Sequence, residues 1–202
     1  MLETQNSFVI KISKIISNFF NPLTSFFLFY LYFSLKNFTR EEAISNFLPI
    51  FFIILLPISL WIFWNVKKGN YTNMDVSNRN QRKSLYFFIA AAILVYLIYE
   101  YFVNNHLNHL DFIMLFISIL LILMQISNYY IKSSMHTAFN VFVSALFFVE
   151  NITLGIVWIL LSIVVGITRI ILKRHTPKEV LMGFSIATFV SLMYIYVMIQ
   201  NN

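Results

Sequence analysis

Residues 137–149, TAFNVFVSALFFV, and 152–168, ITLGIVWILLSIVVGIT, are two apolar runs separated only by Glu150 and Asn151. Neither alternates apolar with polar positions, as a barrel strand would, so both read as helices joined by a tight hairpin. Five longer apolar runs flank the pair, at 16–35, 47–64, 85–103, 112–131 and 180–199. A bilayer core of about 30 Å takes about 20 helical residues, fewer where helix ends are sunk among other helices. The expected fold is therefore all-α: a single polytopic membrane helix bundle of about seven spans, filling residues 1–202 as one domain. Pro49 and Pro57 fall inside the second span, where a missing backbone donor should bend the helix.

Composition agrees. Of 202 residues, 59% are hydrophobic and 11% charged, about half the charged share of a soluble chain. Mean hydropathy is +0.77, and there are 23 Phe, 11 Tyr and 3 Trp. A water-soluble monomer is excluded. The absence of cysteine excludes disulfides, thiolate metal sites and a cysteine nucleophile. The opening segment, MLETQNSFVIKISKII, has no small-residue cleavage site and reads as retained.

The net charge of +6 would suggest nucleic acid in a soluble domain, but here its distribution argues for topology instead. Seven spans put the loops after spans two, four and six on the side of the N-terminus. That side carries twelve Lys and Arg against Glu3, Asp75 and Glu179; the other has Lys36 and Arg40 against five acids. The positive-inside rule then places the N-terminal side in the cytoplasm of a bacterial-type inner membrane.

The three basic-side loops, 65–84, 132–136 (KSSMH) and 169–179 (RIILKRHTPKE), bring arginines, lysines, two histidines, serine hydroxyls and carboxylates to one face. Arginine forks and lysine charges suit phosphate oxygens, and histidine can carry protons or attack phosphorus. Chemistry on an anionic phosphate, with lipid as partner and no nucleic acid, is the expectation.

In the third loop Arg169 is followed by His175 six residues on, Glu179 four further, and Gly183. This spacing resembles the SRxxxxxHxxxD signature of the type 2 phosphatidic acid phosphatase superfamily, and SSMH resembles that family's PSGH block, with Ser134 and His136 in the matching places. The family's glycine is Met135 here and its proline Ser133. The first block, KxxxxxxRP, is the weakest: with Arg82 as its arginine, Asp75 stands at the lysine position and Lys83 at the proline. Arg79, one helical turn before Arg82, is a candidate second phosphate ligand. Lys67, Lys68 or Lys132 are candidates for the missing lysine charge.

The resemblance implies a six-helix core, to which this chain adds one span, and a phosphatase that needs no metal or other cofactor and works through a phosphohistidine. His175 would be the nucleophile, with Glu179 in place of the family's aspartate holding its other ring nitrogen. His136 would protonate the leaving alcohol, while Arg169, Arg82 and Ser134 would bind phosphoryl oxygens. The implied substrates are lipid phosphates of the polyprenyl (di)phosphate, phosphatidate or phosphatidylglycerophosphate class. The rival reading is a non-catalytic member that binds or translocates phospholipid.

Each residue also has a structural reading. Thr176, Pro177 and Glu179 form an N-cap, N1 and N3 pattern, so Glu179 can serve a capping box. Asn78 to Gln81 suggests a similar helix start, and Arg79 and Arg82 can snorkel to headgroups. Ser133 and Ser134 can cap a helix. His106 and His109, on the opposite face with only Asp111 nearby, read as a solvated polar loop rather than a metal site. Glu100 and Glu150, at helix ends on that face, are assigned no role.

Overall fold

The computed structural model describes residues 2–76, 78–104 and 108–201, with side chains placed between Ser7 and Gln200 of those segments; His106 lies outside them. The described residues are helical, without strands, in eight helices. They are α1 Leu2–Phe19, α2 Pro22–Asn37, α3 Arg40–Lys67, α4 Arg79–Asn104, α5 His109–Ser127, α6 Met135–Glu150, α7 Ile152–Ile171 and α8 Pro177–Asn201. Five of these, α3, α4, α5, α7 and α8, are long and apolar enough to cross a membrane, and α6 is a shorter apolar helix. The chain is an integral membrane protein with a polytopic, all-α architecture.

The first expected span differs. Residues 16–35 are not one helix, because the chain breaks at Phe20 and Asn21. The Asn21 side-chain oxygen accepts from the amides of Leu23 (3.0 Å) and Thr24 (3.1 Å). With Pro22 at the first helical position this is a complete helix start. It leaves α2 with 16 residues, about 24 Å at 1.5 Å per residue.

The chain forms two compact units, residues 1–33 with 131–202, and residues 34–130. The axis of the first is α6, whose residues from His136 to Phe147 are all buried. Its neighbours meet it through aromatic contacts: Phe29 of α2 edge-on and Trp158 of α7 tilted against Phe147, and Tyr194 of α8 edge-on against Phe142. The buried stripe of α7 includes the small residues Gly155, Ser162 and Gly166. In lipid, helices associate through close packing rather than hydrophobic exclusion, and small residues permit it. The α6–α7 hairpin turns in two residues, as expected, with the Asn151 side chain accepting from the Leu154 amide at 3.1 Å.

In the second unit, α3 runs unbroken past both prolines, but Ile50–Leu55 winds as a π-helix. Pro57 cannot donate to the turn before it, and the widened register absorbs the mismatch. The 65–84 loop is stapled to the start of α4. Trp61 stacks on Phe88 and donates to the Tyr71 hydroxyl (3.0 Å), which shares a hydrogen bond with Ser84 (2.9 Å). Asn78 caps α4 through the Asn80 amide, yet Gln81 does not complete a capping box: its oxygen accepts from Thr72. Asp111 is not part of a solvated loop. It is buried and forms a reciprocal capping box with Asn108 at the start of α5. Glu100 is buried too, accepting from Asn104 at 2.5 Å.

Candidate active site

The end of α7 sets the geometry. After Ile171 the chain folds back over its own last turn, so that the amides of both Arg174 (3.0 Å) and His175 (3.2 Å) donate to the carbonyl of Arg169. The reversal needs Lys173 at a φ of 52°, a left-handed conformation uncommon for a residue with a Cβ. It brings together Arg169 and His175, six positions apart in sequence, and buries both: Arg169 is 2% exposed and His175 5%.

From there α8 starts at once. Thr176 is the N-cap and Pro177 the first helical residue; the Glu179 amide donates to Thr176 Oγ1 (3.3 Å) and the Thr176 amide to Glu179 Oε2 (3.1 Å). The same carboxylate oxygen lies 2.9 Å from His175 Nδ1. Capping and holding the histidine are therefore one arrangement, not alternatives. With Nδ1–H donating to the carboxylate, His175 Nε2 carries the ring's lone pair. Lys132 Nζ is 3.9 Å from Glu179 Oε2 and donates to the Arg174 carbonyl at 3.2 Å.

The KSSMH segment is docked directly on this turn. The Ser134 amide donates to the Glu179 carbonyl at 3.0 Å. A Cβ on Gly183 would sit 2.6 Å from the Ser134 carbonyl oxygen, so the glycine one turn into α8 is what admits the segment. Ser134 Oγ accepts from Thr137 Oγ1 at 3.1 Å and, at 3.5 Å, from the Thr137 amide, capping α6. Met135 opens α6 with no positive φ, so the backbone there makes no demand for the glycine of the PSGH pattern. His136, in the first turn, is buried at 8% exposure.

Two features of the site lie outside the motifs. Ser17 of α1 is fully buried, and Arg169 Nη1 donates to its hydroxyl at 2.7 Å. Asn140 of α6 donates to the carbonyls of His136 (2.8 Å) and Phe20 (2.9 Å) and accepts from Ser25 (3.0 Å), tying the His136 turn to the break between α1 and α2. The sequence signal for Asn140 is its place four residues after His136 in an otherwise apolar run; polar groups inside spans are costly and mark functional faces.

The first-block arginines belong to the second unit. Arg82 is buried and donates through Nε to the Val76 carbonyl at 2.9 Å, where Val76 itself has a φ of 44°. Arg79 donates to the Asn128 carbonyl at 2.5 Å and receives a bond from Asn128 Nδ2 at 3.1 Å, joining the start of α4 to the end of α5. Both side chains are thus anchored to backbone carbonyls through Nε.

Residues 130–202, which contain the two better-formed blocks, match the family model described as the PAP2 superfamily. The 65–84 block lies outside that stretch. No curated protein and no solved structure matches the chain. The resemblance read from Arg169, His175 and the SSMH block therefore extends over all of α6, α7 and α8. This similarity to the PAP2 superfamily, over the C-terminal part of the chain, stands beside five long apolar helices.

Proposed function

We propose that the protein is a membrane-embedded lipid phosphate phosphatase acting through a phosphohistidine on His175. The observation that carries the reading is the 2.9 Å contact between His175 Nδ1 and Glu179. It fixes the tautomer that leaves Nε2 nucleophilic and supplies a counter-charge to the imidazolium that develops on attack. In the first step the Nε2 lone pair forms a bond to phosphorus as the bond to the leaving alcohol breaks, and His136 gives that alcohol its proton. Arg169 and Ser134 stabilise charge on the phosphoryl oxygens. In the second step His136, now neutral, takes a proton from water as the water attacks phosphorus, and inorganic phosphate leaves with restoration of His175.

No metal enters this scheme. The substrate is a lipid phosphate of the polyprenyl (di)phosphate, phosphatidate or phosphatidylglycerophosphate class. The short α6 favours such a substrate. Its 16 residues span about 24 Å, less than the hydrocarbon thickness, so His136 or the opposite hairpin turn lies below the headgroup plane. The positive-inside count supports a site at the cytoplasmic face.

The test is phosphate release by the purified protein from a panel of lipid phosphates with EDTA present. Release that is insensitive to the chelator and lost in His175→Ala is expected. Release that persists in His175→Ala would overturn the mechanism, and no release from any lipid phosphate would favour the non-catalytic, lipid-binding reading that the divergent first block suggests.

A further inference from the structure

The motifs leave out the residue that meets Arg169 from the other end of the chain. Ser17 is 0% exposed, and its hydroxyl accepts from Arg169 Nη1 at 2.7 Å. A serine inside a membrane helix ordinarily returns its own proton to a carbonyl one turn back. Several here do so: Ser59 to Leu55, Ser118 to Met114, Ser144 to Val141 and Ser162 to Ile159. Ser17 does not. Its oxygen is turned to the guanidinium, and its O–H meets no acceptor among the described residues. A buried donor left in that state costs free energy comparable to a lost hydrogen bond. A ligand oxygen beside the guanidinium would supply that acceptor.

We propose that Ser17 is a phosphate ligand, and that α1 is thereby part of the anion site: its hydroxyl accepts from Arg169 and donates to an oxygen of the phosphoryl group that Arg169 binds. The one hydroxyl can fill both roles, since it has one proton and two lone pairs. The arrangement fixes the guanidinium plane and adds a neutral donor beside it, so that the group grips phosphate without a further charge. α1 is suited to this by its faces. Among its described side chains Ser13 and Ser17, four residues apart, are the buried ones, while Phe8, Ile12, Ile15 and Phe19 are exposed. The helix thus presents serines to the protein and apolar side chains outward, the reverse of a helix on a soluble protein. The inference rests on the reading of Arg169 as a phosphoryl-binding residue.

The experiment uses the full-length purified protein as wild type, Ser17→Ala, Ser17→Thr, Ser13→Ala and His175→Ala. Two quantities are read: kcat/KM on a lipid phosphate, and the rise in thermal unfolding midpoint given by inorganic phosphate or orthovanadate, which needs no turnover. Ser17→Ala is expected to lower kcat/KM and to weaken vanadate binding, each roughly 10- to 100-fold, the worth of one hydrogen bond to a charged group. Ser17→Thr should recover most of both, and Ser13→Ala should leave both within about twofold of wild type on the same scale. Unchanged vanadate binding in Ser17→Ala overturns the inference, even if activity falls. If phosphate release survives in His175→Ala, the phosphohistidine mechanism fails instead. The midpoint shift then decides Ser17 by itself: present in wild type and lost in Ser17→Ala, it upholds the ligand role; equal in both, it refutes it.

Discussion

Replacing Glu179 by Gln separates the two duties of one carboxylate oxygen. Oε2 accepts both the Thr176 amide at 3.1 Å and His175 Nδ1–H at 2.9 Å, and an amide oxygen in the same place can accept both. Cap and tautomer survive; only the charge is lost. Two unit charges at the observed 2.9 Å interact by about 6 kcal/mol at an effective dielectric near 20. An imidazolium half developed in the transition state recovers about half of that. Lys132, 3.9 Å from the same oxygen, reduces the share further. About 2 to 3 kcal/mol remains, within the range for hydrogen bonds to charged groups. The expected loss in kcat is roughly 30- to 150-fold, with KM little changed. Single-turnover phosphate release gives the chemical step directly, and the unfolding midpoint in detergent should stay near that of wild type. A Glu179→Gln variant with kcat within threefold of wild type would refute the role given to the carboxylate. A large drop in midpoint would show that the charge serves the fold.

Gly183→Ala should fail for a steric reason. Its Cβ would lie 2.6 Å from the Ser134 carbonyl oxygen and 3.0 Å from the Ser134 nitrogen, so α8 and the KSSMH segment must part, at about 1 to 3 kcal/mol and with loss of phosphate release. Asn140→Ala removes three hydrogen bonds at once, two of them buried; a cost of about 2 to 4 kcal/mol is expected in denaturant or thermal unfolding, with Asn140→Asp failing to restore it, since it lacks the donors to His136 and Phe20. The absence of native cysteine makes sidedness directly measurable. Lys178→Cys, at an exposed position beside the site, should react with an impermeant thiol reagent only from the cytoplasmic side, and labelling from outside would reverse the orientation argued from charge.

What the sequence made legible was local. The contact of His175 with Glu179 is the one the family resemblance implies, and Thr176 and Glu179 stand at the span of a capping box, so both pairings lay within a few residues of chain. The Glu150–Asn151 hairpin was equally plain, because two polar residues cannot continue an apolar helix across lipid. The break at Asn21 was signalled just as locally, by an Asn-Pro pair, but hydropathy averaged over 20 residues ignores a cap inside the window. Arg79 shows the opposite limit. Its bond to Asn128 depends on how α4 and α5 pair, which no local spacing encodes. Ser17 was beyond reach for the same reason: it stands 152 positions from Arg169, and a lone serine in an amphipathic helix has no spacing to betray its partner.

The placement of Ser134 against Glu179 has an electrostatic result that neither motif block contains alone. Helix α6 begins at Met135 and α8 at Pro177, and the bond from the Ser134 amide to the Glu179 carbonyl sets those two beginnings side by side. Each helix start is a positive pole equal to about half an elementary charge. Arg169 and Lys132 add full charges within the same few residues, and Glu179 returns one negative charge, itself tied to His175 and the cap. The balance is positive in a region where most side chains are buried, and a positive field there attracts an anion more strongly than it would in water. A phosphoryl group satisfies that field, and the backbone dipoles need no reorganisation when charge shifts onto its oxygens. The glycine at 183 is what permits the two helix starts to approach so closely, so a residue with no side chain sets the strength of the site.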